Sequence, residues 1–414
     1  MPRFLSAPAA PRPPAQPRLV LVTTVPITFS FFTGQIAYMK ARGFDVSAVA
    51  SPGPVLDEVG ERERIACHGV EMPRSVSPLR DLVALVRLVR LLRRLAPNVV
   101  HAHTPKGGLL GMWAAWLARV PVRLYHVHGL PYVTATGWRR ALLRWTEKAS
   151  CRRAHQVLCV SESIRSVAIR DGLCAATRIK VLLAGSINGV DAAGRFDPAR
   201  FGSAERLAIR ARHGIPPDAL VVGFVGRLVR DKGLVELAEA WRLLRDRWPA
   251  LHLLVAGPVE ARDPVPARVV SLLRSDARIH LVGEERQTPP LYAAMDVICL
   301  PTYREGLPVV PLEAAAMGLP VVATRVPGCV DAVVDGVTGT LVPARDAAAL
   351  TAALQRYLGD ADLRHRHGTA GRQRVLRDFV PDAIWVAQHA EYVRLLREIG
   401  LPDGEPEVVA VART

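Results

Sequence analysis

Short apolar runs rich in β-branched residues recur along this chain, each followed by a segment with helical periodicity. In the first half they occupy residues 18–24, 44–50, 98–103, 122–128 and 156–161. In the second half they occupy residues 219–225, 251–256, 278–282, 297–300, 320–324 and 339–342. Such runs form strands buried on both faces of a parallel sheet, and their alternation with helices indicates an α/β fold. The sequence therefore predicts two doubly wound, Rossmann-like sheets.

The chain of 414 residues is long enough for two domains, because single hydrophobic cores stop growing near about 250–300 residues. The pattern restarts after a break, and we place the first domain at residues 18–194 and the second at residues 195–382. A terminal helix at 383–399 is expected to pack back on the first domain, followed by a frayed tail at 400–414. Two such domains that face each other bind ligands in the cleft, at the carboxyl ends of both sheets.

The N-terminal segment and the cysteines indicate the compartment. Residues 1–17 are rich in proline and alanine and lack the apolar core of a signal peptide, so they are predicted to be a disordered leader. No uninterrupted apolar run reaches about 18 residues, so no membrane-spanning helix is predicted. The cysteines form no Cys-x-x-Cys pair, which is typical of reduced thiols: Cys67, Cys151, Cys159, Cys174, Cys299 and Cys329. These features predict a protein that is cytoplasmic or peripheral on the cytoplasmic face of the inner membrane.

The formal net charge of +16 favours anionic partners. No aromatic-rich basic module or zinc-ligand spacing supports nucleic acid, so an anionic membrane surface or a polyanionic acceptor is the predicted partner. A helix at 82–95 carries four arginines on roughly one face: Arg87, Arg90, Arg93 and Arg94. The pattern is equally consistent with a helix that lies in the bilayer interface and with a helix that covers the sheet and exposes its arginines to solvent. For the segment 137–145, where Trp138 and Trp145 alternate with arginines, the membrane surface is favoured.

Two cations follow the strand at 219–225. Arg227 comes directly after Gly226, and Lys232 directly before Gly233, where the next helix begins. Open α/β sheets bind ligands at such strand ends, and two cations beside a helix start suit a diphosphate. The alternative is a pair of solvated surface cations. The position at a strand end favours phosphate binding.

Two carboxylates lie near a later helix start. Glu305 precedes the turn at 306–308, and Glu313 lies inside the helix whose first turn holds Pro311. Carboxylates can accept charge-assisted hydrogen bonds from sugar and ribose hydroxyls. Taken singly, Glu305 could be an exposed loop charge and Glu313 a partner of the helix dipole. Beside a diphosphate turn, the pair instead indicates a nucleotide-sugar site.

Four histidines cluster at the ends of two predicted strands: His101, His103, His126 and His128. Imidazoles are common metal ligands, but neither pair has the i, i+4 helical spacing of a histidine metal site, and no cysteine lies close in sequence. Histidines that are hydrogen-bonded in the cleft wall are therefore favoured, and no metal site is predicted. We expect His128, which Gly129 follows, to lie nearest the sugar.

These motifs resemble those of the family-4 retaining glycosyltransferases, which have the GT-B fold of two Rossmann-like domains across a cleft. The matching segments are 226–233, the E-x7-E motif at 305–313, 318–324 and 335–339. A narrower similarity is to bacterial capsule and exopolysaccharide enzymes and to N-acetylgalactosaminyltransferases acting on undecaprenyl-diphosphate-linked sugars. Its segments are 23–26, 103–107, 126–130 and 185–191. Many members have a glycine-rich loop after the first strand, where this chain has only Thr33-Gly34.

The resemblance implies roles for individual residues. Arg227 and Lys232 would bind the donor diphosphate, Glu305 and His128 the transferred sugar, and Glu313 the ribose; Glu305, His128, Arg227 and Lys232 would form the catalytic set. The full set expected to bind the donor is Gly226, Arg227, Lys232, Glu305, Gly306, Leu307, Val309, Glu313, Thr33 and Gly34. No metal or other cofactor is expected.

The sequence thus predicts a retaining, metal-independent glycosyltransferase that moves a sugar from a UDP-linked donor to a lipid-linked or saccharide acceptor in surface polysaccharide synthesis. The carrier UDP is preferred by resemblance, with GDP and ADP left open. Two alternatives remain: a nucleotide-sugar epimerase of the same fold, and a catalytically weak nucleotide-sugar-binding scaffold of an assembly complex.

Overall fold

The computed structural model of the chain describes residues 16–260 and 263–404. Most of the predicted leader, residues 1–15, and the end of the predicted tail, residues 405–414, lie outside the described residues. Among those described, no helix combines the length and the apolar character needed to cross a bilayer.

The first half of the chain forms a seven-stranded sheet in which neighbouring strands are parallel. Its strands are β1 (Arg18–Val22), β2 (Asp45–Ala50), β3 (Ala66–Gly69), β4 (Val99–His103), β5 (Val122–Val127), β6 (Gln156–Cys159) and β7 (Ile179–Val181). The helices between them are α1 (Gln35–Ala41), α2 (Pro54–Glu63), α3 (Pro78–Leu95), α4 (Pro105–Leu117), α5 (Gly137–Arg153) and α6 (Glu162–Arg170). Short 3-10 turns occur at Pro26–Phe32, Pro131–Val133 and Ala176–Arg178.

The second half forms a six-stranded parallel sheet. Its strands are β8 (Leu220–Val225), β9 (Leu251–Ala256), β10 (Ile279–Gly283), β11 (Val297–Leu300), β12 (Val321–Thr324) and β13 (Gly339–Val342). Its helices are α7 (Ser203–Arg212), α8 (Leu234–Leu244), α9 (Ala267–Ser275), α10 (Pro289–Ala294), α11 (Val309–Ala316), α12 (Cys329–Ala332), α13 (Ala347–Gly359) and α14 (Ala361–Asp378). The 3-10 turns of this half are Pro198–Arg200 and Arg230–Lys232.

Both sheets have the same order reversal. The first runs β3-β2-β1-β4-β5-β6-β7, and the second runs β10-β9-β8-β11-β12-β13. In each, the chain turns back from one side of the sheet to the other between two central strands: β1 and β4 in the first, β8 and β11 in the second. Connections leave such a pair in opposite directions, which opens a crevice at the carboxyl ends of the strands.

The last helix, α15 (Pro381–Arg397), returns to the first sheet. Tyr392 on this helix is buried in the core that also contains residues of β1 and β2. Its hydroxyl lies 2.7 Å from Nδ1 of His101 on β4. Along the chain, Ile187 packs in that same core and Val190 in the core of the second sheet, so the chain passes from one core to the other between these two residues.

The predicted two-sheet α/β architecture is confirmed, and every predicted strand is present. The prediction missed the edge strands β3 and β7. The β3 sequence, Ala-Cys-His-Gly, has no β-branched residue and no fully buried residue, and β7 is only three residues long. Neither strand needs the continuous apolar run that identifies a strand buried on both faces.

Candidate active site

The crevice between β8 and β11 contains the charged pair that the sequence singled out. Lys232 ends the turn Arg230–Lys232 just before α8, and Glu305 lies in the loop between β11 and α11. The Lys232 ammonium donates a hydrogen bond to a carboxylate oxygen of Glu305. Their side chains are only 18% and 13% exposed. The cation and the carboxylate, which are far apart in sequence, are therefore one partly buried ion pair.

Neighbouring contacts hold these two loops together. Nε of Arg304 donates to a carboxylate oxygen of Asp231 at 2.7 Å, and the backbone N–H of Tyr303 donates to the Asp231 carbonyl at 2.8 Å. The backbone N–H of Asp231 donates to the Asp263 side chain at 3.0 Å. Asp231 therefore acts as an ion-pair partner that fixes the loop before α8. Lys232 and Glu305 are positioned by backbone contacts as well as by their own attraction.

Arg227 lies at the rim of the crevice. One guanidinium nitrogen is 2.9 Å from a carboxylate oxygen of Glu260, and the arginine side chain is 46% exposed. Gly226 connects it to the end of β8. A planar, partly exposed guanidinium of this kind can bind phosphate oxygens bidentately. The structure thus places Arg227 and Lys232 on the same loop but in different surroundings.

Glu313 lies in the middle of α11, whose first turn holds Val309 and Pro311. Its carboxylate accepts a hydrogen bond of 2.7 Å from the hydroxyl of Tyr292, which is fully buried. Burial raises the pKa of Glu313, while the Tyr292 hydrogen bond and the nearby Arg195 oppose this rise. The backbone N–H groups at the start of α11 have no partner within the helix, so an anion can bind there.

The loop that carries Glu305 touches the first domain through Gly306. A Cβ on Gly306 would lie 1.7 Å from the carbonyl oxygen of His128. The Ser161 hydroxyl donates to the Gly306 carbonyl at 2.7 Å. Leu307 packs against the cores of both sheets. Contact between the domains, rather than access to an anion, is therefore the reason why this position accommodates only glycine.

The four histidines are brought together on one face of the first sheet. Nδ1 of His103 lies 3.0 Å from Nε2 of His128, and the rings of His101 and His126 stack at a centroid distance of 5.5 Å. Burial lowers the pKa of His128 to about 4 and that of His101 to about 3, with a further contribution from His128 in the second case. For His103 and His126, burial and the neighbouring imidazoles also lower the pKa well below its usual value. All four rings are therefore neutral at pH 7.

Thr33 and Gly34 lie against the terminal helix. Gly34 has a φ of 82°, and a Cβ there would lie 2.4 Å from the indole of Trp385. The Asn188 amide donates to the Thr33 carbonyl at 2.9 Å and accepts from the Trp385 N–H at 2.6 Å. Packing on α15 thus accounts for the glycine. Whether either residue contacts a donor stays a prediction.

Sequence reasoning missed a polar contact between the domains at the start of α6. The carboxylate of Asp331 on α12 accepts from the backbone N–H groups of Glu162 and Ser163, at 3.1 Å each. The Ser163 hydroxyl also accepts a 2.7 Å hydrogen bond from the backbone N–H of Gly328. The sequence signal that could have indicated this contact is Ser-Glu-Ser, which follows β6. The carboxyl end of β6 lies at the same sheet edge as those of β4 and β5, so polar residues there face the cleft.

The predicted basic helices are present, but the exposed side of α3 is more apolar than predicted. Its first half exposes Leu79, Leu82, Val83 and Val86. Its second half exposes Arg87, Arg90, Arg93 and Arg94. On α5, Trp138 is 78% and Trp145 62% exposed. Helix α4 packs between α3 and α5, so the three helices cover one side of the first sheet.

Two family models match the chain. One described as glycosyl transferases group 1 matches residues 219–360, and one described as glycosyl transferase 4-like domain matches residues 31–185. The capsular polysaccharide biosynthesis glycosyltransferase CapM of Staphylococcus aureus is 30% identical over 377 residues, which are 91% of this chain and 97% of that protein. The chain belongs to this glycosyltransferase family. The resemblance predicted from the motifs is thereby confirmed.

A second relative of this glycosyltransferase is the UDP-Gal:alpha-D-GlcNAc-diphosphoundecaprenol alpha-1,3-galactosyltransferase of Escherichia coli. It is 26% identical over 322 residues, which are 77% of this chain and 81% of that protein. Among solved structures, HepE of Anabaena in complex with UDP and glucose superposes with a TM-score of 0.75 at 21% identity, covering 91% of this chain and 99% of that one. This similarity confirms the predicted GT-B fold.

Proposed function

We propose that this glycosyltransferase moves a sugar from a UDP-linked donor to a lipid-linked or saccharide acceptor in surface polysaccharide synthesis, with retention of the anomeric configuration. The observation that carries the proposal is the Lys232–Glu305 pair in the crevice between β8 and β11, where its loop meets His128 of the first domain. This arrangement offers a cation to a diphosphate and a carboxylate to a sugar within one site.

The relatives support the substrate classes. CapM is named for capsular polysaccharide biosynthesis, and the Escherichia coli relative for galactosyl transfer from UDP-Gal to a sugar on diphosphoundecaprenol. The similar HepE structure holds UDP and glucose. We extend these classes to the present chain: UDP as the carrier and a polyprenyl-diphosphate-linked or free saccharide as the acceptor.

In the proposed reaction the bond between the sugar C1 and the β-phosphate oxygen breaks, and a bond forms between C1 and the acceptor oxygen on the same face. The acceptor proton passes to an oxygen of the leaving diphosphate, so no separate protein base is required. Arg227, Lys232 and the N-terminus of α11 stabilise the charge that develops on the leaving group, an electrostatic role aimed at the transition state. No metal is required for this step.

The carboxylates and His128 orient the donor in this proposal. Glu305 and His128 contact the transferred sugar from opposite domains, and Glu313 accepts from ribose hydroxyls while Tyr292 holds its carboxylate in place. Because Lys232 is paired with Glu305 when no donor is bound, the diphosphate takes over part of the lysine's hydrogen bonding. Glu305 is then available to accept from a sugar hydroxyl.

We also propose that α3 and α5 bind the first domain to an anionic membrane on its cytoplasmic face. The exposed apolar side chains of α3 lie beside its four exposed arginines, and Trp138 and Trp145 extend from α5. Apolar side chains that enter the interface together with cations near anionic headgroups are the two components of peripheral binding. A lipid-linked acceptor would be presented at the same surface.

Thermal unfolding of the full-length protein with UDP, GDP or ADP, each with and without EDTA, tests the donor assignment. UDP at a hundredfold excess over its Kd should stabilise the protein by about 2.7 kcal/mol. We expect this increment with UDP alone, and the same increment in EDTA. The stabilisation by nucleotide is the difference between unfolding with and without nucleotide in the same buffer. A metal ion bound elsewhere in the protein therefore cancels out of the comparison. Absence of a shift with every nucleotide would favour the scaffold alternative.

Release of nucleoside diphosphate with and without acceptor separates the remaining alternatives. A transferase releases UDP only when acceptor is present and forms a glycoside whose anomeric configuration NMR can assign. An epimerase converts the donor without an acceptor. Inverted configuration in the product would contradict the retaining mechanism but leave the donor site intact.

The membrane proposal is tested by vesicle flotation. We expect binding to vesicles that contain phosphatidylglycerol, weaker binding to purely zwitterionic vesicles, and a loss of about tenfold or more in the double variant Trp138→Ser/Trp145→Ser, since each large apolar side chain contributes about 1.5–3 kcal/mol when buried. Leu243→Ser removes an exposed apolar side chain from the second domain and is the matched control. Equal binding by both variants would rule out α5 as the contact.

A further inference from the structure

Three imidazoles converge on one face of the first sheet. His101 and His103 are two residues apart on β4, so their side chains are on the same face, and His103 is directly paired with His126 on β5. One ring nitrogen from each of the three lies within 4.8 Å of the others. All three side chains are buried.

Four ring nitrogens of these three histidines have no hydrogen-bond partner among the described residues. They are Nε2 of His101, Nε2 of His103 and both ring nitrogens of His126, and solvent reaches none of them. A buried polar atom without a partner is rare and destabilising, and an ion that accepts its lone pair is one physical explanation for it. Here four such atoms belong to three histidines that each place a ring nitrogen within 4.8 Å of the others.

In His101 and His103 the other ring nitrogen, Nδ1, has a hydrogen-bond partner outside the cluster. Nδ1 of His101 is 2.7 Å from the Tyr392 hydroxyl, and Nδ1 of His103 is 3.0 Å from Nε2 of His128. If each Nδ1 carries its hydrogen and donates it outward, each Nε2 presents a lone pair to the centre of the cluster. Metal-binding histidines are usually oriented in this way by an outer hydrogen-bond acceptor.

We propose that His101, His103 and His126 bind one divalent transition-metal ion of the Zn²⁺ class. Imidazole nitrogen suits Zn²⁺, Co²⁺, Ni²⁺ and Cu²⁺, whereas Mg²⁺ and Ca²⁺ prefer oxygen. With Zn–N bonds of about 2.0–2.1 Å, the three nitrogens lie about 3.3 Å apart in a tetrahedral site, so the rings rotate inward on binding. A water molecule takes the fourth position.

This inference does not rest on the proposed donor chemistry. The diphosphate would bind on the second domain, and His128 lies between the histidine cluster and the Gly306 loop. A metal on Nε2 of His103 requires Nδ1 of that ring to carry the hydrogen, and therefore requires Nε2 of His128 to accept it. The ion would thus also fix which nitrogen of His128 can donate to a sugar.

Metal binding is measured on full-length protein without a histidine tag, after chelator treatment and dialysis. Co²⁺ is titrated while the visible absorption is followed, and Zn²⁺ is then added to displace it. We expect saturation at one Co²⁺ per chain, with the intense bands of four-coordinate cobalt and full displacement by Zn²⁺. Binding without saturation, or with only the weak bands of six-coordinate cobalt, would overturn the proposal.

His126→Leu is the decisive variant, because both of its ring nitrogens lack a partner and no hydrogen bond is lost with it. We expect it to abolish the cobalt bands and to remove the rise in Tm that Zn²⁺ gives the wild type. In EDTA the variant should unfold at the wild-type temperature or above, since two unsatisfied buried atoms are removed. An equal rise in Tm with Zn²⁺ in both proteins would contradict the site.

Two further variants complete the test. Tyr392→Phe keeps all three imidazoles but removes the partner of His101, and should weaken Co²⁺ binding about 10-fold or more. It also provides a test if His126→Leu does not fold. His252→Gln disrupts a second close imidazole pair, in which Nδ1 of His252 lies 2.9 Å from Nε2 of His280, and should leave the affinity unchanged. Loss of binding in His252→Gln alone would move the metal to that pair and overturn the assignment.

Discussion

At the scale of single residues, the site depends on two close contacts with different causes. Lys232 and Glu305 attract each other in a crevice that is largely shielded from water, which strengthens their interaction. Gly306 is fixed by steric contact, because the His128 carbonyl occupies the space where a side chain would begin. One contact supplies charges to a ligand, and the other sets the distance between the domains.

Lys232→Ala should lower kcat/KM about 10²–10³-fold, the effect expected when one preorganised electrostatic group is removed from a transition state. Glu305→Gln should cause a loss of similar size, because the amide cannot accept as strongly from a sugar hydroxyl. Steady-state kinetics with the identified donor measure both. The matched controls are Arg242→Ala and Glu239→Gln, which alter exposed charges on α8. Wild-type turnover by either folded site variant would refute the assignment.

Gly306→Ala tests the contact between the domains. The added methyl group would lie 1.7 Å from a backbone oxygen, which can be relieved only by separating the Glu305 loop from His128. A displacement of about 1 Å costs about 10²-fold in rate, so we expect a loss of that order in kcat/KM with little change in Tm. Gly202→Ala, where a methyl group would meet nothing within 4 Å, should behave as the wild type.

At the scale of secondary-structure elements, α5 combines an exposed aromatic and basic side with an ionisable group on its buried side. Glu147 is buried and accepts a 2.7 Å hydrogen bond from the Tyr125 hydroxyl on β5. Burial raises the pKa of Glu147 to about 7, although the Tyr125 hydrogen bond opposes the rise. The helix therefore packs on the sheet best when this carboxyl is protonated.

The free energy of unfolding should consequently fall as pH rises. The unfolded state loses the Glu147 proton near pH 4.5 and the folded state near pH 7, so between these values the folded state binds more protons. The stabilising contribution is fully present below pH 4.5 and is lost by about pH 7, with a total of about 3 kcal/mol. Urea unfolding of Glu147→Gln against the wild type, from pH 5 to pH 8, measures it. Identical pH profiles for the two proteins would show that Glu147 does not titrate in this range.

At the scale of the whole molecule, the two sheets are connected by the chain and by polar contacts across the cleft. Asp331 of α12 accepts from two N–H groups at the start of α6, where the helix dipole favours a carboxylate. The Ser161 hydroxyl adds a hydrogen bond to the Gly306 carbonyl. These contacts hold the carboxyl ends of both sheets close together, which is the arrangement in which His128 and Glu305 face one ligand.

Asp331→Ala should favour a more open arrangement of the domains. Hydrogen bonds to a charged group contribute about 1.5–3 kcal/mol each, so we expect the KM for the donor to rise about tenfold or more. Small-angle X-ray scattering should show a larger radius of gyration for the variant without ligand. Asp362→Ala changes an exposed carboxylate on α14 and is the control. An unchanged KM and radius would indicate that the Asp331 contact does not hold the cleft closed.

The sequence alone determined the two-sheet architecture, the strands buried on both faces, the position of Lys232 after a strand end and that of Glu305 in the loop before a helix start. These features have local signals: apolar periodicity identifies buried strands, and glycine and proline mark the turns that follow them. It also identified the four histidines at two strand ends. No metal site was predicted there, because neither pair of histidines has the i, i+4 spacing of a metal site on a helix. That spacing rule does not apply to histidines on neighbouring parallel strands.

Only the tertiary structure decided how these residues meet. The His103–His126 pairing follows from the register of β4 and β5, and the Lys232–Glu305 pair follows from the adjacency of β8 and β11. Gly306 owes its constraint to a carbonyl in the other domain. Such contacts join residues far apart in the chain, and no local periodicity encodes strand register or the placement of one domain on the other. They follow from the packing of the complete chain.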